Sequence, residues 1–309
     1  MTTLLITHPA SLNHLTPLGH PERPDRLRAI AQALDQEPFQ TLKRVEAPTV
    51  PFETIALCHP MDYVEAIRKA TPQEGIVHVD ADTSMSPGSF EAAVRGVGAA
   101  VHAVDEVVGK RADNAFCAMR PPGHHAETAR AMGFCLFNTA AIAARYAQDH
   151  HGLGRVAIVD FDVHHGNGTQ EIFWSDATAM YCSTHQMPLY PGTGAVSERG
   201  DHDNIVNAPL RAGDGGAKFR EAFESRILPR LAAFAPELIV ISAGFDAHRN
   251  DPLGQLALVE ADYAWATTTL MEVADKTAQG RVVSVLEGGY DLEGLAQSAA
   301  AHVTALMRG

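Results

Sequence analysis

A chain of 309 residues, 46% of them apolar, is long enough to bury a large core, and no Ser/Gly-rich linker or charge run divides it, so one domain over residues 1–309 is expected. The formal net charge of −13 argues against nonspecific nucleic-acid binding and leaves cationic peptides or amines as partners. No stretch approaches the roughly 20 continuous apolar residues of a membrane helix, the first residues do not look like a secretory signal, and Cys58, Cys117, Cys135 and Cys182 are scattered without a Cys-x-x-Cys pair. Together these features predict a soluble protein of the reduced cytoplasm with no disulfide framework; homo-oligomerisation stays open.

Leu4–Thr7 reads as a buried strand, Pro24–Leu34 and Ser89–Val108 as helices, and Ala115–Met119 as a second strand. Directly after that strand, Arg120-Pro121-Pro122-Gly123-His124-His125 presents tandem histidines on a backbone fixed by prolines. They are candidate acid/base groups. The helix Asn138–His150 precedes an apolar run, Val156–Val163, that carries Asp160 and Asp162 and leads into His164-His165-Gly166-Asn167. Because side chains alternate along an extended chain, Asp160, Asp162 and His164 share one side if that geometry persists, which makes Asp162 and His164 a ligand pair.

Ala179–Ser183 is read as a strand and Gly215–Phe234 as a helix. The strand Leu238–Ser242 is followed by Ala243-Gly244-Phe245-Asp246, whose carboxylate is the best third ligand. After the helix Glu260–Asp275 comes the strand Val282–Leu286, and then Glu287-Gly288-Gly289-Tyr290, where the glycines allow close backbone approach and the phenol can polarise a carbonyl. Leu292–Met307 closes the chain as a helix. The alternation predicts an α/β fold with a mostly parallel sheet, in which chemistry gathers beyond the carboxyl ends of the strands.

Three protein ligands leave an open position, as in a catalytic metal site. Oxygen and nitrogen donors suit Zn²⁺, and Fe²⁺ or Mn²⁺ accept the same set. Water activated by such a metal, a histidine to take its proton and return it to a leaving amine, and a phenol on the carbonyl oxygen together describe amide hydrolysis. Adjacent histidines need different protonation states, so Asp160 is expected to orient one imidazole and Asn167 the other.

These motifs, with His20-Pro21-Glu22-Arg23-Pro24-Asp25-Arg26 and Gly133-Phe134-Cys135-Leu136-Phe137-Asn138, make the chain resemble the arginase-fold metal-dependent deacetylases, the superfamily of histone deacetylases, acetylpolyamine amidohydrolases and acetoin-utilisation proteins. The resemblance covers nearly the whole chain and implies a three-layer α/β/α domain. It implies that Asp162, His164 and Asp246 hold Zn²⁺, that His125 is the general base and then acid, that His124 is an electrostatic partner oriented by Asp160, and that Tyr290 binds the substrate carbonyl. It further implies an acyl-lysine tunnel lined by Gly133, Phe134 and Tyr190, with Gly288 at the substrate and Arg26 near an inner acetate cavity. A structural K⁺ on main-chain carbonyls of Asp160, Asp162 and His164 with Ser183 and Thr184 is also implied. Asn167, where class I enzymes carry aspartate, and the form of the Gly133–Asn138 segment mark the chain as class II-like.

Leu253 stands where polyamine-selective members tend to carry an acidic gatekeeper. An apolar residue offers a buried ammonium no partner, so acylated lysine in a peptide or protein is expected ahead of acetylated polyamines or other small amines. A ureohydrolase of arginase type would need further bridging carboxylates for two Mn²⁺ ions, and the sequence supplies too few. A non-catalytic binding module would have little use for His125, Tyr290 and all three ligands.

Overall fold

The computed structural model describes residues 1–308. Its main sheet has eight strands, β1 (Thr3–Thr7), β2 (Lys43–Glu46), β5 (Asn114–Cys117), β6 (Val156–Asp160), β7 (Ala179–Gln186), β8 (Ile205–Leu210), β9 (Leu238–Ala243) and β10 (Val282–Leu286); β3 (Val77–His78) and β4 (Ser84–Met85) form a small antiparallel pair. The spatial order is β2-β1-β5-β10-β9-β6-β7-β8, and every neighbouring pair is parallel.

Alternation along the strands builds a core on each face. Val156, Ile158, Val240 and Val283 point toward the helices Ser89–Val108 and Thr139–His151. Ala157, Val159, Ile239 and Val282 point toward the helices Asp25–Leu34, Glu260–Thr277 and Leu292–Arg308. Burial on both faces explains why the central strands are continuous apolar runs rather than alternating ones.

The edges differ from the sequence expectation for physical reasons. β2 is the charged segment Lys-Arg-Val-Glu, mostly exposed, and β8 contains Pro209, which a strand tolerates only at a sheet edge. Both therefore lack the apolar signature of the centre. The expected helix over Gly215–Phe234 is split into Gly216–Ala222 and Leu228–Phe234 by a π-helical stretch, Phe223–Ile227. Pro229 lies just beyond and cannot donate an ordinary helical hydrogen bond. No helix among the described residues is long and apolar enough to cross a membrane.

The strands β5, β10, β9 and β6 are consecutive neighbours at the centre of a parallel sheet. Their carboxyl ends therefore open on one side, and the four polar segments that follow them meet there.

Candidate active site

β6 ends at Asp160 rather than running to Val163, yet the following bends still turn Asp162 and His164 toward Asp246. One donor atom from each of Asp162, His164 and Asp246 lies within 4.8 Å of the others, and all three residues are buried. His164 Nδ1 is 3.2 Å from both Asp162 Oδ1 and Asp246 Oδ2. Backbone donors orient the carboxylates: Gly288 N–H donates to Asp162 Oδ2 at 2.8 Å and Val163 N–H to Asp246 Oδ1 at 2.7 Å. A Cβ at Gly244 would collide with Asp162, and one at Gly288 with Asp246, so both glycines are needed for the carboxylates to converge. Burial and the neighbouring Asp162 carboxylate push Asp246 up to about 7. A divalent cation would offset that repulsion, and the donor set fits one.

The tandem histidines differ as their surroundings require. Asp160 Oδ2 lies 2.9 Å from His124 Nδ1 and also accepts from the Tyr181 hydroxyl at 3.0 Å. Burial would lower His124, but the carboxylates of Asp160, Asp162 and Glu287 hold it well above the usual histidine range. Burial, with His124 and His164 close by, holds His125 well below that range. The ring centroids of His124 and His125 are 4.0 Å apart, so charge on one disfavours charge on the other. His125 Nδ1 is 2.8 Å from Asn167 Oδ1.

A cavity of about 260 Å³ opens above these groups, lined by Asp82, His125, Gly133, Phe134, His164, Leu189, Tyr190, Leu253 and Tyr290. Gly133, at φ +58°, presses against the His125 ring, where any Cβ would collide. The Tyr190 ring stands edge-on to His125 at 5.1 Å between centroids, and the Phe134 ring meets Tyr290 at 5.9 Å. Burial pushes the Tyr290 phenol well above its usual range, so it remains an O–H donor at neutral pH. Arg26 lies beneath it, with its guanidinium carbon 4.9 Å from the ring centroid, and donates to the carbonyls of Gly289 at 2.6 Å and Glu287 at 2.5 Å. Ser183 Oγ pairs with His185 Nδ1 at 2.9 Å, while Thr184 Oγ1 is buried with no partner among the described residues.

Several residues that shape the site were not singled out from the sequence. Glu287 accepts from Gly123 N–H at 2.6 Å and His124 N–H at 3.1 Å, fixing the histidine loop, and from Ser242 at 2.9 Å. The fully buried Glu22 pairs with Arg120 and Arg26. Asp82 accepts from Gly133 N–H at 3.0 Å and borders the cavity. Asp251 accepts the backbone N–H of Tyr290 at 2.7 Å and lies outside the Asp162/His164/Asp246 group.

A family model described as "Histone deacetylase domain" matches residues 20–306. The chain belongs to the histone deacetylase family. It is 38% identical over 300 residues to a probable deacetylase of Archaeoglobus fulgidus, covering 95% of this chain and 83% of that protein. It is likewise 38% identical over 277 residues to the histone deacetylase-like amidohydrolase of Pseudomonas aeruginosa, covering 88% and 73%. The crystal structure of the HDA15 HD domain superposes with a TM-score of 0.92 at 37% identity, over 98% of this chain and 88% of that one. Fold and family together make this histone deacetylase homologue a metal-dependent deacetylase of the amidohydrolase type, acting on acylated substrates.

Proposed function

We propose that the chain acts over its whole length as one catalytic domain that removes acyl groups from lysine side chains, with zinc held by Asp162, His164 and Asp246. The carrying observation is that His164, which converges with Asp162 and Asp246, lines a single cavity between aromatic walls together with the His125 imidazole and the Tyr290 phenol. Fe²⁺ accepts the same donors. A bound divalent ion supplies Lewis acidity toward the carbonyl and makes water easier to deprotonate. His125, neutral and oriented by Asn167, takes the proton from the attacking water and later delivers it to the leaving amine. His124, protonated against Asp160, contributes positive charge beside it without competing for that proton. Tyr290 donates its O–H to the carbonyl oxygen as negative charge builds there, and Arg26 steadies its loop through the Gly289 carbonyl. Gly133, Phe134, Tyr190 and Gly288 shape a channel for an extended aliphatic chain. A structural K⁺ on main-chain carbonyls of Asp160, Asp162 and His164 with Ser183 and Thr184 belongs to the same reading, and the unpartnered Thr184 hydroxyl supports it. A cytoplasmic location belongs to the same reading, and the four cysteines, all free and buried, support it.

A second reading, deacylation of acetylpolyamines, is favoured by one observation: Asp82 places a half-buried carboxylate on the cavity wall, where a distal ammonium could pair with it. The half-buried Leu253 on the same cavity favours lysine instead. Offering acetyl-lysine peptides, acetylpolyamines and longer acyl-lysines to metal-loaded protein separates the two. Preferential release of acetate from acetylpolyamines would replace the lysine assignment.

A further inference from the structure

We infer that Glu127 selects the working tautomer of His125 by acting through Asn167. Asn167 presents Oδ1 to His125 Nδ1 at 2.8 Å, but an amide is two-faced and a ring nitrogen can meet either end. What decides the orientation is at the other end of the side chain. Asn167 Nδ2 donates to Glu127 Oε1 at 2.8 Å and points to Met132 Sδ at 3.4 Å. A carboxylate only accepts, so it must face the NH₂ end of the amide. Oδ1 is then turned to His125, Nδ1 of that ring must carry the hydrogen, and Nε2 keeps its lone pair for the proton of water.

Were the amide reversed, its NH₂ would face Nδ1, the ring hydrogen would move to Nε2, and His125 could not accept a proton there. Glu127 is thus a positioning residue, held where this control is effective. Its turn is closed by Glu127 N–H to Arg130 O at 3.0 Å, and the adjacent Thr128 donates from N and Oγ1 to Glu171 at 2.9 and 2.6 Å. Glu171 lies on the helix Asn167–Ile172, so the turn and Asn167 are fixed to one element.

The inference rests on the reading of His125 as general base, and steady-state kinetics of metal-loaded variants on an acetyl-lysine peptide tests both separately. His125→Ala reports on that reading: turnover like the wild type removes the base itself. Given a base at His125, Glu127→Ala is expected to lower kcat on the order of tenfold at unchanged KM and metal content, part of the roughly 10²- to 10⁴-fold contribution of a positioned base. Glu127→Lys should lose more, because a donor-only ammonium turns the Asn167 amide round. Adding Asn167→Asp to Glu127→Lys should then restore most of the turnover, since an aspartate accepts from both His125 and the lysine. A merely structural contact would leave that double variant no better than Glu127→Lys. That outcome, or wild-type turnover by Glu127→Lys alone, would overturn the inference.

Discussion

Asp251 Oδ2 accepts the backbone N–H of Tyr290 at 2.7 Å, while its Oδ1 accepts from Leu253 N–H at 2.9 Å. One buried carboxylate thus sets the phenol over the site and the residue at the channel wall. Replacement by alanine leaves both N–H groups without this acceptor, a loss of about 1–3 kcal/mol in stability for a buried unsatisfied group. Asp251→Ala is expected to lower the urea midpoint and kcat while keeping the metal. Loss of the metal together with activity would instead make Asp251 part of a binuclear centre.

Proton transfer and carbonyl polarisation can be separated from metal binding by substitution. His125→Ala and Tyr290→Phe should each reduce kcat by about 10²-fold or more, the scale of losing a general base or an oxyanion donor. Metal content, read by atomic emission, should remain that of the wild type. Near-normal turnover in either variant would remove that residue from the mechanism.

If the proposed lysine reading holds, charge at the channel wall is expected to set the choice between lysine and polyamine. Leu253→Glu should raise kcat/KM for acetylpolyamines by roughly five- to 150-fold, corresponding to about 1–3 kcal/mol from pairing with the distal ammonium. Acetyl-lysine peptides should gain nothing comparable. Asp82→Asn supplies the reverse comparison, and a selective loss of polyamine turnover there would raise the second reading above the first.

Acid should destabilise the fold through histidines buried as neutral rings. Burial lowers His59 to about 4, with Nδ1 3.0 Å from Thr128 O and Nε2 accepting from Asn138 N–H at 2.9 Å. Burial lowers His302 to about 3 between Thr267 and Ser284. A histidine depressed below its unfolded value of about 6.5 leaves stability unaffected above that pH. As pH falls further, the unfolded chain binds protons that the folded one refuses. For His59 the loss is complete near pH 4 and amounts to about 3 kcal/mol. Urea unfolding between pH 6.5 and 4.5 should therefore show a shallower loss in His59→Gln than in the wild type, and parallel profiles would contradict the assignment.

The central strands and the metal triad were legible because burial on both faces writes a continuous apolar run, and the polar residues that follow it stand out against that background. That His124 and His125 need different protonation states was legible from charge, since two close imidazolium ions repel and the sequence offered one carboxylate and one amide to divide them; which histidine takes which was implied only by the family resemblance. The structural roles of Asp251, Glu287, Glu22 and Asp82 were not legible because their work is done on backbone N–H groups or guanidinium groups far away in the chain. Asp251 and Tyr290 are 39 positions apart, and Glu22 and Arg120 98. No periodicity or spacing rule encodes such a contact; it exists only after the loops have been brought together. β2 and β8 were hidden for a different reason, since edge strands carry charge or proline where central ones carry valine.

Mononuclear, metal-dependent amide hydrolysis is tested by titrating Zn²⁺ into metal-stripped protein while following acetate release from an acetyl-lysine peptide. A site with three ligands and one open position should give activity that rises to a plateau at about one ion per chain, and Asp246→Ala should give none. A plateau at two ions per chain, or no acetate release at any zinc level, would contradict the account.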